Sequence, residues 1–219
     1  MSIKMEVWGD YACFTRPEMK VERVSYDVPT PSAARGMVES VYYHPGLKWH
    51  VDKIYVCKPI RFTNILRNEV ASKISASNVL TEANGKKRSY IDRNADIQQR
   101  ATTMLRNVHY VIEAHFEMTE KANPSDNPGK FQDIIKRRLE KGQCYSMPYF
   151  GTREFPAQFR RCTELPPCPD ELKGTRDLGW MLWDLDYSDP ANITPKFFRA
   201  SLVDGVMTVP PPNSGEVRG

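Results

Sequence analysis

The side chains best suited to proton chemistry in this chain are a pair of tyrosines and one histidine. Tyr42 and Tyr43 end a short predicted helix, and His115 falls on the polar face of a predicted strand. A histidine can pass a proton near neutral pH because its unperturbed pKa is about 6.5. A phenol, with an unperturbed pKa of about 10, is a poor base but can orient a hydroxyl group. Without further context, a histidine on a strand is more often an exposed surface residue than a catalyst, and a tyrosine at a helix end is more often a half-buried packing residue.

Motifs of other enzyme classes are missing. The carboxylates Asp10, Asp52, Asp92 and Asp96 are scattered, without HExxH or paired-aspartate spacing, which argues against a metal-dependent nuclease. No glycine loop of the Walker or dinucleotide-binding type occurs. The five cysteines form no CxxC pair and are predicted to be reduced packing thiols. We therefore expect no metal and no cofactor.

The tyrosines are positioned by a helix predicted between Thr30 and Pro45. Thr30 can cap its N-terminus, Pro31 suits the first turn, and Pro45 stops it. Arg35 lies beside the stripe predicted to face the core. Gly36 costs about 1 kcal/mol relative to alanine, which indicates the close approach of another backbone or of a ligand, although a plain packing glycine is equally compatible.

His115 is positioned by the clearest strand in the sequence, predicted from Thr103 to Met118. Apolar residues alternate there with polar ones, and His115 shares the polar face with Glu113. Earlier strands are predicted at 3–7 and 51–62. The polar stretch from Leu66 to Arg100 is predicted to be a long, mobile loop.

A second helix is predicted from Asn127 to Gly142. The element order is then strand, helix, strand, strand, helix, strand, which predicts an α+β, ferredoxin-like domain over 1–165. A proline-rich segment leads to a small antiparallel sheet over 166–219. Asp204 and Gly205 mark a hairpin in it, and 210–219 is predicted to be a tail.

Basic and aromatic residues are grouped in a way that favours a nucleic-acid partner. The net charge of +4 is modest, so local clustering carries more weight, although any single cluster could be a solvated face. Aromatic side chains after the second helix could form a ledge on which unpaired bases stack. The predicted RNA-binding residues are Arg35, Lys86, Lys87, Arg88, Arg137, Lys141, Tyr149, Phe150, Gly151 and Arg153.

The cellular location is predicted to be the cytoplasm. No apolar run is long enough to cross a bilayer, and the first ten residues, MSIKMEVWGD, lack the apolar region of a secretion signal.

A series of short motifs resembles the Cas5 family of CRISPR-associated proteins, in the d form (Cas5d) of type I-C systems. The resemblance covers the chain up to about Arg161, and no single motif is diagnostic without the others. In order, the motifs are Gly9-Asp10-Tyr11-Ala12 with Phe14-Thr15, Ser25-Tyr26-x-Val28-Pro29-Thr30, Glu39-Ser40-Val41-Tyr42, VHYVIEAHF at 108–116, and YFGTRE at 149–154.

The resemblance implies a metal-independent endoribonuclease that cuts CRISPR repeat RNA through its own 2′-hydroxyl and keeps the 5′ handle of the guide RNA. It implies Tyr42 and His115 as the catalytic residues, with Tyr43 and His44 as runners-up. The other histidines, His50 and His109, are interpreted as bystanders. The implied partners are the repeat and guide RNA and the other subunits of a surveillance complex.

One departure from the family pattern concerns the cation beside the histidine. The pattern has a lysine there, whereas this chain has Glu113 and Ala114. Glu113 could hold the tautomer of His115 but cannot neutralise a phosphate. Other candidate cations are Lys53, Lys58, Arg106 and the 86–88 cluster. The departure favours an alternative in which the chain binds the 5′ end of the guide RNA without catalysis, and a contact with double-stranded DNA is also open.

Overall fold

The computed structural model describes residues 2–19, 21–85 and 90–219. Within these residues the chain is a mixed α/β structure dominated by an antiparallel sheet. The elements are β1 (Ser2–Ala12), β2 (Arg23–Val24), α1 (Pro31–Val41), β3 (Leu47–Val56), β4 (Phe62–Val70), α2 (Ala76–Ala83), β5 (Ile97–Met118), α3 (Pro128–Lys141), β6 (Gln158–Arg161), a 3₁₀ turn (Asp170–Leu172), β7 (Thr175–Asp186), β8 (Thr194–Val203) and β9 (Val206–Thr208).

The strands form one sheet in the order β6-β1-β5-β3-β9-β8-β7, with β2 and β4 also paired to β5. The helices α1 and α3 cover one face of its central part. Alternation along β5 sends Tyr110, Ile112 and Ala114 into the core beneath them, where each is at most 2% exposed. The opposite face carries polar side chains, so the predicted division of this strand into an apolar and a polar face is confirmed.

Both predicted helices are confirmed, and their ends follow the expected capping. The Thr30 hydroxyl accepts from the Ala33 amide at 3.2 Å, and Asn127 caps α3 in the same way. Helix α1 ends at Val41, before Pro45, because the backbone becomes extended at residue 42. A Cβ at Gly36 would meet nothing within 4 Å, so no neighbouring backbone explains this glycine.

The prediction of a loop from Leu66 to Arg100 is wrong for about half of its length. In the described part, β4 and the start of β5 pair from Phe62 with Leu105 to Val70 with Ile97, and α2 lies beyond them. This ribbon is held by backbone hydrogen bonds and buries few side chains, so it lacks the apolar alternation that would reveal strands in the sequence. Its exposed apolar residues include Leu66, at 74% exposure.

The C-terminal strands continue the central sheet. The predicted hairpin at Asp204 and Gly205 is confirmed, with both residues at positive φ. Strand β9 then pairs with β3, which joins β7, β8 and β9 to the rest of the sheet. The predicted tail is attached through a bridge between Phe197 and Arg218. A domain boundary at residue 165 stays a prediction.

One buried carboxylate on the polar sheet face is held by an arginine and a histidine. Glu6 is 3% exposed and accepts from Arg160 at 2.6 and 2.8 Å. His109 Nε2 lies 2.8 Å from the same carboxylate. The hydrogen bond from Arg160, more than any other contact, lowers the pKa of Glu6 below its usual value.

We predict that Glu6→Gln lowers the free energy of unfolding by about 2 kcal/mol at neutral pH, because hydrogen bonds to a buried charge are lost. Since the folded-state pKa of Glu6 is depressed, this contribution is present above pH 4.5 and is lost as the pH falls through the folded-state value. Urea unfolding between pH 7 and pH 3 measures it. The control Glu140→Gln removes the exposed pair with Arg161 and should change stability by under about 0.5 kcal/mol. An equal effect of both variants would contradict the account.

Candidate active site

His115 lies on the sheet face that α1 and α3 do not cover. The next residue, Phe116, points to the helix side and packs against Phe131 of α3, so His115 points the other way. In register, it faces Ser2 of β1 and His50 of β3. Its side chain is 37% exposed, which leaves it open to solvent.

Asp52 holds His115 from the neighbouring strand. Its Oδ1 lies 2.8 Å from His115 Nδ1. The β3–β5 register shifts between Val51 and Lys53, so Asp52 is the extra residue of a β-bulge, a device that re-aims a side chain. The Val209 amide donates to the Asp52 carbonyl at 2.9 Å and fixes the backbone there. The carboxylate favours a proton on Nδ1 and leaves Nε2 for a substrate.

His50 stacks on His115. The ring centroids are 5.2 Å apart with an interplanar angle of 18°, and His50 Nε2 lies 3.3 Å from Glu117 Oε2. Burial lowers the pKa of His50 below its usual value, while the charge of Glu117 opposes this shift. The interpretation of His50 as a bystander does not fit this placement. Its signal in the sequence is the spacing of His50 and Asp52, which puts both on one strand face.

Glu113 does not take the role that the sequence suggested for it. Its Oε2 accepts from the Tyr55 hydroxyl at 2.7 Å and lies 3.7 Å from Lys4 Nζ. Burial, assisted by Glu113, raises the pKa of Tyr55 to about 12. The carboxylate that contacts His115 is Asp52 instead.

The structure does not bring Tyr42 and His115 together. Tyr42 is 7% exposed, and its ring packs against Phe131 with the Arg138 guanidinium 4.8 Å from its centroid. Burial raises its pKa above the usual value. Because these contacts are on the helix side, the sheet separates the phenol from the imidazole. The predicted shared cleft is therefore corrected: helix α1 packs its C-terminal tyrosine inward, and β5 points its histidine outward.

The two runners-up also lie away from His115. His44 packs on Phe131 at 5.0 Å between ring centroids, and its Nδ1 accepts from the Gly46 amide at 3.0 Å. Tyr43 is 61% exposed beside it. His44 is therefore held on the helix side.

The predicted aromatic ledge is only partly available. Phe150 is fully buried and packs against Phe14 and Tyr110, so its predicted role as a stacking surface is wrong. A Cβ at Gly151 would lie 1.9 Å from the Cys13 carbonyl oxygen, so packing within the protein requires this glycine. Tyr149 remains 37% exposed.

A groove of about 400 Å³ lies between α1 and β7. Arg35, Gly36, Tyr149, Gly151 and Asp184 are among its lining residues. Arg35 forms a forked contact to Asp184, so its charge is already compensated. Three of the predicted RNA-binding residues therefore line the same groove: Arg35, Tyr149 and Gly151.

The other predicted RNA-binding residues that the structure describes lie on two separate segments. Arg137 and Lys141 are exposed on α3, and Arg153 is exposed in the loop before β6. Lys86, Lys87 and Arg88 lie outside the described residues.

The cations nearest to His115 by register are lysines of β3. Lys48 faces Glu117 and Lys53 faces Glu113, one on each side of His115 along β5. Both are exposed, and within the described ranges neither forms an ion pair. Arg106 is nine residues away on β5, about 30 Å at strand spacing. Lys58 donates to Asn107 at 2.6 Å, and Asn107 is the residue next to Arg106 on β5.

The described residues contain neither a metal-type cluster nor a membrane-spanning helix. Across 2–19, 21–85 and 90–219, no three His, Cys, Asp or Glu side chains are grouped as they would be to hold a metal ion. No helix in the same ranges has the length and apolar character needed to span a membrane.

Comparisons with known proteins give a family and a fold. Residues 2–210 match a family model described as CRISPR-associated protein (Cas_Cas5). A relative from Mannheimia succiniciproducens, named CRISPR pre-crRNA endoribonuclease Cas5d, is 50% identical to this chain. The alignment spans 99% of this chain and 98% of the relative. A Thermus thermophilus relative of the same name is 38% identical, in an alignment that spans 95% of this chain and 91% of the relative. A crystal structure of a CRISPR-associated protein, 22% identical, covers 100% of this chain and 97% of its own with a TM-score of 0.72.

Proposed function

Because this chain belongs to the Cas5d family of CRISPR-associated proteins, we propose that it is an endoribonuclease acting on pre-crRNA, the activity for which its two relatives are named. The structural observation that carries the proposal is the pair formed by His115 and Asp52 on an open sheet face. A histidine oriented by a carboxylate is the arrangement that acid–base catalysis needs.

The reaction proposed at this pair is cleavage by the RNA's own 2′-hydroxyl. The 2′-hydroxyl loses its proton to solvent water and its oxygen attacks the neighbouring phosphorus, the bond to the 5′-oxygen breaks, and a 2′,3′-cyclic phosphate forms. The doubly protonated His115 ring donates its Nε2 proton to the leaving 5′-oxygen and keeps the Nδ1 proton, while Asp52 orients the ring and stabilises this protonated form. Proton transfer of this kind contributes about 10²- to 10⁴-fold.

The test of this function is a cleavage assay with repeat RNA in EDTA. We expect cleavage to persist in EDTA and to stop when the scissile nucleotide carries a 2′-deoxy substitution. Loss of cleavage in EDTA, or cleavage of the 2′-deoxy RNA, would contradict the 2′-hydroxyl mechanism.

Lys48 and Lys53 are the proposed cations for the scissile phosphate, because they flank His115 on its exposed side. We predict that removing both, in Lys48→Ala with Lys53→Ala, lowers the single-turnover cleavage rate about 10²-fold at saturating protein, since a nearby cation stabilises the growing negative charge. The control Arg106→Ala removes an exposed cation nine residues from His115 along β5 and should leave that rate unchanged. A double lysine variant as fast as the control would remove these lysines from the proposal.

A catalytic role for Tyr42 is supported by the resemblance in motif and not by the geometry. Tyr42→Phe removes the hydroxyl group but keeps the ring that packs against Phe131 and Arg138, so it tests the hydroxyl alone. If Tyr42→Phe cleaves repeat RNA at the wild-type rate, the role of Tyr42 is packing. Lost cleavage with unchanged RNA binding and melting temperature assigns the hydroxyl to the chemistry.

The guide RNA and a surveillance complex are the proposed partners in the cytoplasm, with retention of the 5′ handle after cleavage. The ferredoxin-like assignment is supported by the strand order β6-β1-β5-β3, with α1 and α3 as the two connections. The alternative, a subunit that binds the guide RNA without cutting it, is favoured by the separation of Tyr42 from His115. A contact with double-stranded DNA stays a prediction.

A further inference from the structure

His50 and His115 form a stacked pair that the reaction described above does not use. Their rings are nearly parallel and 5.2 Å apart, and Asp52 binds the edge of the outer ring at Nδ1. His115 is thus contacted on one face by an imidazole and on one edge by a carboxylate. Together, the two contacts restrict both the tilt of the ring and its rotation.

The burial of His50 decides what kind of role it can have. Its side chain is 14% exposed, against 37% for His115. Its Nε2 atom is inaccessible and makes no hydrogen bond among the described residues, although Glu117 Oε2 lies 3.3 Å away. This nitrogen cannot reach a phosphate on the open face, so Nε2 of His50 is not a proton donor to the RNA.

Support for an uncharged ring at this position comes from the groups around it. Burial lowers the pKa of His50, and His115 from β5 and Lys48 from β3 act in the same direction. Glu117 from β5 acts against them. A neutral ring can pack beneath His115 when His115 carries a proton, without the repulsion between like charges.

We propose that His50 is a positioning residue, which packs against the face of the His115 ring and keeps its Nε2 directed at the leaving oxygen. This inference rests on the proposed function of His115. Loss of a fixed geometry at a proton donor is costly because a displacement of about 1 Å can lower a rate by about 10²-fold.

The test compares three substitutions in the full-length protein. His50→Ala and His50→Leu remove the aromatic ring, and Leu keeps most of the volume. We expect both to lower the single-turnover cleavage rate about 10-fold or more, with unchanged affinity for the repeat RNA. His50→Phe keeps a flat ring and should restore the rate to within about 3-fold of wild type. Equal rates for Phe and Leu would overturn the proposal.

A second measurement does not depend on cleavage. Long-range ¹H–¹⁵N spectra of the RNA-free protein report which nitrogen of His115 carries the proton. Because a His115 ring without a stacked neighbour can rotate away from Asp52, we expect one dominant form, with the proton on Nδ1, in wild type and His50→Phe, and a mixture in His50→Leu. The same dominant form in all three proteins would overturn the proposal, even if His50→Ala does not fold.

Failure of this inference can be told apart from failure of the proposed function. If His115→Ala is inactive while His50→Leu cleaves at the wild-type rate, His115 keeps its role and His50 loses its own. If His115→Ala cleaves at the wild-type rate, the proposed function of this site fails first.

Discussion

His115→Ala is expected to lower the single-turnover rate of repeat-RNA cleavage by about 10²- to 10⁴-fold. Among the described residues, the His115 imidazole lies exposed on the open sheet face beside an orienting carboxylate, and histidine is a side chain suited to proton transfer near neutral pH. Binding of the repeat RNA should change little, because a single imidazole ring contributes little to the affinity for a phosphate backbone that many groups contact. Denaturing gels of the cleavage products and filter binding measure the two quantities.

The matched control is His109→Gln. His109 lies on the same strand and the same face, and it also contacts a carboxylate, Glu6. It is six residues from His115, about 20 Å along the strand. We expect it to cleave at the wild-type rate once its folding is confirmed. Equal rates for His115→Ala and wild type would remove His115 from the mechanism.

Asp52→Asn is expected to lower the cleavage rate about 10²-fold, with RNA affinity preserved. The amide keeps the size of the side chain but removes the charge that stabilises the protonated ring, and it can bind Nδ1 in the wrong tautomer. The melting temperature should stay close to that of wild type, since the Asp52 side chain is 35% exposed. Single-turnover kinetics at saturating protein measures the loss.

Glu113→Gln is the matched control for Asp52→Asn. Glu113 lies two residues from His115 on the same strand face but binds Tyr55 and Lys4. We expect its cleavage rate to stay within about 3-fold of wild type. If Glu113→Gln were the slower of the two variants, the assignment of the carboxylate from the structure would be wrong.

The elements that carry the candidate site were predictable because local chemistry determines them. Thr30 and Asn127 cap their helices through side-chain oxygens, which depends only on residues within one turn. The alternation of apolar and polar residues along β5 is enough to place His115 on the polar face, without information about its contacts. These features need no knowledge of distant parts of the chain.

The partners of His115 were not predictable because they depend on pairing between distant strands. Asp52 reaches the imidazole through a bulge in β3, and a bulge changes the register without a mark in the sequence. The stacking of His50 on His115 follows from the same register. Glu113 was the nearer carboxylate in the sequence, but Tyr55, on a different strand, binds it.

The placement of Tyr42 shows a second limit. The sequence puts it at the end of a helix, which fixes its position along the chain but not the direction of its side chain. The early end of α1 at Val41, together with the packing on Phe131 and Arg138, turns the ring to the helix side. Only the packing of α1 against α3 decides this.

The most direct test of the central claim uses a repeat RNA in which sulfur replaces the 5′-bridging oxygen at the scissile phosphate. A thiolate leaves without a proton, so the modified RNA does not need a general acid. If His115 is the proton donor, His115→Ala should cleave the sulfur RNA at nearly the wild-type rate while remaining about 10²-fold or more slower on ordinary RNA. An equal defect on both RNAs would contradict the assignment of His115 as the acid.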